Sequence, residues 1–446
     1  MNDHAPALAR ALSRRRFMTL TAAAGVTGAV AACSSSGGSA SEPGSIRIVV
    51  AGSAEDSPRW TELISQFNEQ FPDISAAPEF LTAPSNSDPW TGFFSTVQTR
   101  IAGGERYDVV YIPTEGQLLF ASRGILEPLD DYVDADADTV DHFESDVEPN
   151  ILEQFYAHAP ADGQRYFIPL GYNDTAILYS KAVFENAGVD VPASGWTWDD
   201  FRATSEALQQ AGVRYAMNFG TNLFDFMPWL LTNGTAVLND DWTGSRLDEP
   251  AAQESVEFVR SFIADGLAPE PGGQFNAVAA MSSGDLAMTF AARGTANALR
   301  DRDLDPAEYA YVQIPQNVSA GTTIGIGGFG VFADSPSKDA AWDFLTFVMS
   351  QQFQDYLAGE ILMGGSPIRT SSATSNAMLE GSPDGTLELY EASKTATLVP
   401  GVVNQAQVGD PFNRAMAQML AGTLDIGQGL ADLHAEIDAA VATGAS

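Results

Sequence analysis

The chain carries few side chains that could perform catalysis, and they do not form a recognised catalytic pattern. Its histidines outside the amino-terminal region are His142, His158 and His434, which lie far apart and have no partner motif. The sequence contains no HExxH, GxSxG or Walker motif. A histidine-dependent triad therefore has no support, and we expect no catalytic residue. Paired carboxylates for glycoside hydrolysis stay open as an alternative, because acidic residues are abundant.

One pattern resembles a cation-binding loop but is incomplete. Asp134, Asp136 and Asp138 have the spacing of the first three ligands of a calcium loop. Thr139 stands where the sharp turn needs glycine, and a serine stands where a bidentate glutamate is required. We interpret residues 130–148 as a solvated acidic face and predict no metal site, while cation binding by this stretch stays open.

A glycine-rich stretch at residues 325–330 (GIGGFG) matches the dinucleotide-binding pattern only formally. A dinucleotide loop opens a helix directly, whereas residues 331–333 continue here as a strand. We interpret the glycines as positions where the backbone approaches a ligand or another segment closely. Simple strand irregularity stays the alternative, and the sequence predicts no cofactor.

The informative side chains are aromatic, amide and charged groups near breaks between predicted elements. An aromatic face beside hydrogen-bonding groups suits a sugar, because the CH faces of a sugar are apolar and its hydroxyls need polar partners. For Trp229, a core position and a binding position are both open. These candidates are Trp90, Asn173, Asp174, Trp229, Arg293 and Phe329.

Length and charge limit the class of protein. The chain has 446 residues, of which 45% are hydrophobic, so we expect two domains with packed cores. The formal net charge of -36 argues against nucleic acid and anionic membrane surfaces as partners, since their phosphates would be repelled. Acidity of this degree is compatible with a cationic or a neutral solute.

The amino-terminal residues 1–32 have the features of an export signal. Residues 13–18 (SRRRFM) match the twin-arginine pattern, and a mild Ala-rich stretch follows them. Residues 30–33 (VAAC) resemble a bacterial lipobox ending in Cys33, the single cysteine of the chain, so we predict lipidation there. Residues 33–45 would then tether an exported protein to the outer face of the cytoplasmic membrane. A plain signal peptide with an incidental cysteine is the alternative.

Strand-like and helix-like segments alternate after the tether. Residues 46–51, 76–81 and 107–112 have the composition of strands, and the segments between them have the periodicity of amphipathic helices. This alternation is typical of α/β proteins. Residues 166–188 contain two strand-like runs joined through the polar break GYND. We interpret this segment as a covalent crossing between two lobes, with residues 309–315 as the return crossing.

Five stretches, taken in order, resemble the extracellular solute-binding proteins of ABC sugar importers, the group that includes maltodextrin binders. They are YDVVYI with ILEPLDDYV after it, the segment 163–186, the helix start TWDDF, the sequence GDLAM, and GGFGVFADSPSKDAAWDFLTFV. Each motif is loose by itself, but their order and spacing span the mature chain. The resemblance implies an α/β, two-lobed fold of the type II periplasmic-binding-protein kind, with a ligand cleft between lobes that close about hinge segments.

On this resemblance the first lobe comprises residues 46–172 plus 315–365, and the second comprises residues 173–314 plus 366–446. Many relatives have a tryptophan where this chain has Arg293, which weakens the case for a long maltodextrin-like ligand and allows an acidic or differently substituted sugar. The positions that match the family's cleft segments are Ser53, Glu55, Trp90, Glu115, Asn173, Asp174, Trp229, Arg293, Gly328 and Phe329.

The resemblance also implies a function. The chain would be the substrate-binding component of an ABC importer, capturing a mono- or oligosaccharide outside the cytoplasm and delivering it to the permease subunits in the membrane. We expect a monomer that is not an enzyme. Two alternatives stay open, namely a binder of a non-sugar solute such as a polyamine, peptide or amino-acid derivative, and an anchored carbohydrate-active enzyme.

Overall fold

The structure of the chain is a computed structural model. The predicted signal peptide (1–32), Cys33 and most of the predicted tether lie outside the residues that it describes. The described residues are 44–53, 55, 57–82, 89–158, 160, 162–271, 275–360 and 365–444.

Strands and helices alternate along the described chain, as the sequence predicts. The strands are β1 (Ser45–Ala51), β2 (Ser75–Leu81), β3 (Val109–Ile112), β4 (Ile168–Asp174), β5 (Ala176–Ser180), β6 (Tyr215–Asn218), β7 (Leu286–Ala291), β8 (Tyr309–Val312), β9 (Thr323–Val331), β10 (Ser366–Pro367) and β11 (Thr397–Leu398). The helices are α1 (Ser57–Gln70), α2 (Pro89–Ala102), α3 (Thr114–Ser122), α4 (Asp130–Ala135), α5 (Ala137–Glu144), α6 (Pro149–Ala157), α7 (Lys181–Ala187), α8 (Trp198–Gln210), α9 (Leu223–Leu231), α10 (Pro250–Ala264), α11 (Ala277–Ser283), α12 (Thr295–Arg300), α13 (Lys338–Met349), α14 (Gln351–Gly359), α15 (Thr370–Ala373), α16 (Asn376–Leu379), α17 (Leu387–Ser393), α18 (Ala406–Leu420) and α19 (Ile426–Gly444).

The strands form two sheets, and each sheet with its packed helices makes one lobe. The larger sheet has the order β10-β4-β9-β3-β1-β2, and β11 also pairs with β9. The smaller sheet has the order β6-β7-β5-β8. We call the two bodies the larger lobe and the smaller lobe. The fold is therefore the mixed α/β, two-lobed architecture that the sequence predicts.

Both sheets are covered on their two faces, which explains the nearly continuous apolar composition of their strands. In β1, Ile48 and Val50 enter one core cluster of the larger lobe, while Val49 enters another on the opposite face. In β5, Ile177 and Leu178 divide between two clusters of the smaller lobe in the same way. The alternation follows from the two-residue period of a strand.

Helices form where apolar residues recur at helical spacing. In α1 the side chains of Trp60, Leu63, Ile64 and Phe67 recur at this spacing and are buried. Thr197 caps the start of α8. Its hydroxyl accepts a hydrogen bond from the backbone N–H of Asp200, and the Asp200 carboxylate accepts one from the backbone N–H of Thr197. A capping box of this kind satisfies backbone donors that the helix leaves unpaired.

The crossing between lobes contains more regular strand than the sequence predicts. The polar residues 171–174 belong to β4 and pair with β9 from Ile324 to Gly327, and the register shifts between Pro169 and Gly171. The predicted break is therefore part of a strand, and the chain passes to the smaller sheet at Thr175. Pairing with β9 makes these polar residues a strand, because buried backbone N–H and C=O groups need hydrogen-bond partners.

Two further passages join the lobes. The return between β8 and β9 spans the predicted position near Pro315. A third passage follows β11, because Leu398 belongs to the larger lobe's core whereas Val399 packs in the smaller lobe's core. The lobe boundaries that the resemblance implies put the third passage at residues 365–366, and those boundaries stay predictions.

Candidate functional site

A cleft of about 1260 Å³ lies between the two lobes, and three groups of elements line it. The larger lobe contributes α2, the end of β3 and the start of α3. The smaller lobe contributes the start of α9, the loop after β7 and the start of α18. The floor consists of residues from the crossing strands β4 and β9. Large concave sites between lobes are the usual location of small-molecule binding.

The wall of the larger lobe presents an aromatic surface. Trp90, at the start of α2, lies 6.3 Å from Tyr111 between ring centroids, with an interplanar angle of 50°. Phe93 contacts Trp90 edge-on, with 6.3 Å between ring centroids. Burial raises the pKa of the Tyr111 phenol well above its usual range, so the group stays a neutral hydroxyl at physiological pH. The wall thus combines a half-buried indole with a neutral phenol.

Polar groups flank this aromatic surface at the start of α3. Glu115 lies in the first turn of α3, directly after the buried strand β3, and lines the cleft. Beside it, Thr114 exchanges hydrogen bonds with the backbone of Ile326 in β9, at 2.8 Å and 3.1 Å. Gln117 donates to the same carbonyl at 2.8 Å. These bonds hold the start of α3 on the central strand of the larger sheet and thereby orient Glu115.

The wall of the smaller lobe presents amides and a carboxylate. Asn222 caps α9 by accepting a hydrogen bond from the backbone N–H of Asp225, and its amide donates to the Asp225 carboxylate at 2.6 Å. Burial raises the pKa of Asp225, and the bond from Asn222 opposes this shift. Asn413 accepts a hydrogen bond from the backbone N–H of Leu223 at 3.0 Å, which joins α18 to α9.

The floor of the cleft is made of backbone and one amide side chain. Asn173 lines the cleft next to Gly325 and Gly327 of β9. A Cβ at Gly327 would lie 2.1 Å from the Tyr111 hydroxyl, and one at Gly325 would lie 3.3 Å from the ring of Phe224. The glycine-rich strand is thus required by close approach of other segments, one of the two reasons that the sequence analysis proposed.

The charge of the described cleft lining is predominantly negative. Its carboxylates are Glu115, Asp225 and Asp410, and its cation is Arg123. The guanidinium of Arg123 donates a hydrogen bond to the amide of Gln98. Solutes that carry anionic groups would therefore meet an unfavourable potential in this cleft.

The structure brings three of the predicted ligand-binding residues together, and these are Trp90, Glu115 and Asn173. Ser53 and Glu55 do not appear in the described lining. They form a local turn in which the Ser53 hydroxyl accepts a hydrogen bond from the Glu55 backbone N–H at 3.2 Å. Both positions remain proposals as ligand contacts.

The other predicted positions lie behind the cleft surface. Trp229 is 1% exposed and is enclosed by aromatic rings of the smaller lobe's core. Phe329 is fully buried in the larger lobe's core, and Gly328 packs against the Phe167 side chain and the Ile168 carbonyl. The physical reason is the direction of the side chains. The first turn of α9 lines the cleft, whereas Trp229, further along the same helix, points into the core.

Asp174 and Arg293 are buried side chains at the junction of the lobes. Asp174 is 1% exposed, and neither of its carboxylate oxygens has a hydrogen-bond partner among the described residues. Arg293 is 2% exposed and donates hydrogen bonds to backbone carbonyls rather than facing the cleft. Arg293 therefore does not support the binding of an acidic sugar in the cleft.

Sequence reasoning missed several lining residues of the smaller lobe. Asn222 and Asp225 had a detectable signal, because an asparagine before an apolar helix followed by an aspartate three residues later marks a helix start. Phe290 at the end of β7 had none, because an apolar residue in a strand is expected to be core. Gln405 and Asn413 line the cleft because the chain returns to the smaller lobe after β11, through the third passage between the lobes.

No group of three or more histidine, cysteine, aspartate or glutamate side chains in the described residues could hold a metal ion. Asp134 and Asp138 lie on α4 and α5, and Asp136 between them accepts a hydrogen bond from the Trp342 indole at 2.6 Å. No helix in the described ranges is long and apolar enough to cross a membrane.

Comparison with known proteins gives a consistent result. The family model for bacterial extracellular solute-binding proteins matches residues 62–388. A Brucella abortus protein named as a binding protein is 27% identical over 337 residues, which cover 71% of this chain and 74% of that protein.

Solved structures share the fold at low sequence identity. An ABC substrate-binding protein of Listeria monocytogenes in complex with cycloalternan has a TM-score of 0.77 at 21% identity, covering 90% of this chain and 100% of that one. A cyclic alpha-maltosyl-1,6-maltose binding protein of Arthrobacter globiformis has a TM-score of 0.74 at 18% identity, with coverages of 90% and 100%. With its two lobes, its central cleft and this match over most of its length, the chain belongs to the family of bacterial extracellular solute-binding proteins.

Proposed function

We propose that this chain is the substrate-binding component of an ABC importer and that it captures a carbohydrate in the cleft between its lobes. Closure of the lobes would enclose the solute and present it to the permease subunits in the membrane. The observation that carries the proposal is the cleft lining, where an aromatic wall containing Trp90 faces a wall of amides and a carboxylate.

The chemistry of this lining suits a sugar. The Trp90 ring offers an apolar face for sugar CH groups, and the amides and carboxylates offer acceptors and donors for hydroxyls. A volume of about 1260 Å³ leaves space for more than one sugar ring, since drug-sized ligands occupy sites of about 300–1000 Å³. The solved relatives described above bind cyclic oligosaccharides, which supports the same class of solute here.

Export and anchoring belong to the same proposal. Lipidation of Cys33 would attach the protein to the outer face of the cytoplasmic membrane, and residues 34–45 would give it reach toward the permease. The twin-arginine pattern at residues 13–18 would direct its export. We propose a monomer that binds its solute without chemical change.

A cationic solute such as a polyamine is the second candidate, because the described cleft lining has more carboxylates than cations. Isothermal titration calorimetry with maltose, cycloalternan, glucuronic acid and spermidine separates the two. Heat with a neutral sugar, together with a smaller radius of gyration in X-ray scattering, supports the sugar proposal. Heat with spermidine alone supports the second candidate, and release of a shortened sugar would show an enzyme instead.

A further inference from the structure

A cleft-lining loop of the smaller lobe carries one side chain that leaves the cleft. Ala292, Gly294 and Thr295 line the cleft between β7 and α12. Arg293, in the middle of the loop, is 2% exposed and its side chain runs to the larger lobe. The residues on either side of Arg293 therefore line the cleft, whereas the Arg293 side chain contacts the larger lobe.

The guanidinium of Arg293 binds backbone carbonyls of the larger lobe at the end of α14 and at Gly365. One of its nitrogens donates to the carbonyl of Leu357 at 2.7 Å and to that of Gly365 at 3.0 Å, and another donates to the carbonyl of Ala358. Leu357 and Ala358 are close to the carboxyl end of α14, and Leu357 is part of the larger lobe's core. All three bonds thus connect the two lobes.

The chemistry of this contact favours a cation. The last carbonyls of a helix have no intrahelical partner and carry the negative end of the helix dipole. An arginine can bind several such carbonyls at once, because its donors form a rigid planar fork. A neutral amide has only two N–H donors, and an ammonium holds its three donors on a single nitrogen rather than across a planar fork.

The environment of Arg293 makes this contact difficult to break. Burial lowers the pKa of Arg293 to about 10, so the side chain remains a cation at neutral pH. If the guanidinium left the carbonyls while buried, it would be an unpaired charge in a dry site, which is costly. The contact should therefore resist rotation of one lobe against the other.

We propose that Arg293 is a hinge pin: a positioning residue that holds the cleft-lining loop of the smaller lobe on the carboxyl end of α14 and so sets the angle between the lobes. Solute contacts at Phe290 and Thr295 would be transmitted through this point to the larger lobe. That consequence rests on the proposed function, whereas the mechanical role of Arg293 does not.

The chain contains a matched control for this role. Arg369 is also buried, at 4% exposure, and its Nε donates to the carbonyl of Met349, the last residue of α13, at 2.9 Å. Its guanidinium also binds Asp146 at 3.1 Å. All these groups belong to the larger lobe, so Arg369 binds a helix-end carbonyl and a carboxylate without connecting the two lobes.

The test measures the distance between the lobes without any solute. Spin labels are placed through Glu69→Cys on α1 and Ala435→Cys on α19, both exposed, in the full chain carrying Cys33→Ser. Electron double resonance gives the distance distribution for the wild-type background, for Arg293→Lys and for Arg369→Lys. We expect a roughly twofold broader distribution for Arg293→Lys and no broadening for Arg369→Lys. Melting temperatures measured in parallel report the purely structural cost of each change.

An unchanged distribution in Arg293→Lys, or equal broadening in both variants, would overturn the proposal. Should Arg293→Lys fail to fold, Arg293→Gln takes its place with the same expectation, because an amide keeps a donor but loses the fork. The readout needs no solute, so an absence of sugar binding would count against the proposed function alone.

Discussion

The buried carboxyl group of Asp174 leads to a quantitative prediction about stability. It is 1% exposed at the last position of β4, and both of its oxygens lack partners among the described residues. Burial therefore raises the pKa of Asp174 well above its usual range. Because the folded-state pKa exceeds the unfolded-state pKa, the group stabilises the fold most below the unfolded value and loses that contribution as pH rises toward the folded value.

The magnitude follows from proton linkage. An unfolded aspartate titrates near pH 4, and each further pH unit over which the folded chain keeps the proton costs about 1.4 kcal/mol. The isosteric change Asp174→Asn removes the titrating group and hence this cost.

Urea unfolding at pH 5, 6 and 7 provides the assay. We expect the stability advantage of Asp174→Asn over the wild-type chain to grow as pH rises, by at most about 1.4 kcal/mol per pH unit. Asp108→Asn is the matched control, because Asp108 is equally buried but accepts hydrogen bonds from the Arg47 backbone and the Ser335 hydroxyl. It should lose stability at pH 7. A pH-independent difference between Asp174→Asn and the wild-type chain would refute the reasoning.

Three other outcomes are expected. Trp90→Ala should weaken binding of a sugar roughly tenfold in calorimetry, and an unchanged dissociation constant would contradict the stacking role of this half-buried ring. Trp229→Ala should lower the unfolding free energy in urea by about 3–5 kcal/mol, and a loss of affinity at unchanged stability would argue against its core position. Gly327→Ala should cost about 1–3 kcal/mol in the same assay, because its Cβ would overlap Tyr111. Gly359→Ala, where a Cβ meets nothing within 4 Å, is the control and should not destabilise the chain.

The fold could be predicted where the spacing of apolar residues indicates which side chains are buried. The apolar face of α1 and the doubly buried β3 are visible in the sequence, because each position there has one dominant environment. The residues 171–174 were not recognised as a strand, because polar residues in a strand depend on the partner that pairs with them. That partner, β9, lies about 150 residues later in the chain.

The cleft was harder to predict for a related reason. Trp90 and Asn173 could be chosen because they follow breaks in the pattern, and breaks are exposed. Trp229 and Arg293 also stand near breaks, but the side chain of each points away from the cleft. The direction of a side chain on a short helix or loop depends on packing between distant elements. Residue type alone does not predict that direction.

The position of β9 in the larger sheet has a consequence for how the protein is made. This strand lies between β3 and β4 and pairs with both, yet it is synthesised after the whole smaller sheet. A nascent chain that ends before residue 323 therefore has two central strands with open edges, which are surfaces prone to pair with other chains. Contacts that span such long separations also form slowly. The larger lobe thus depends on protection from aggregation until most of the polypeptide has been synthesised.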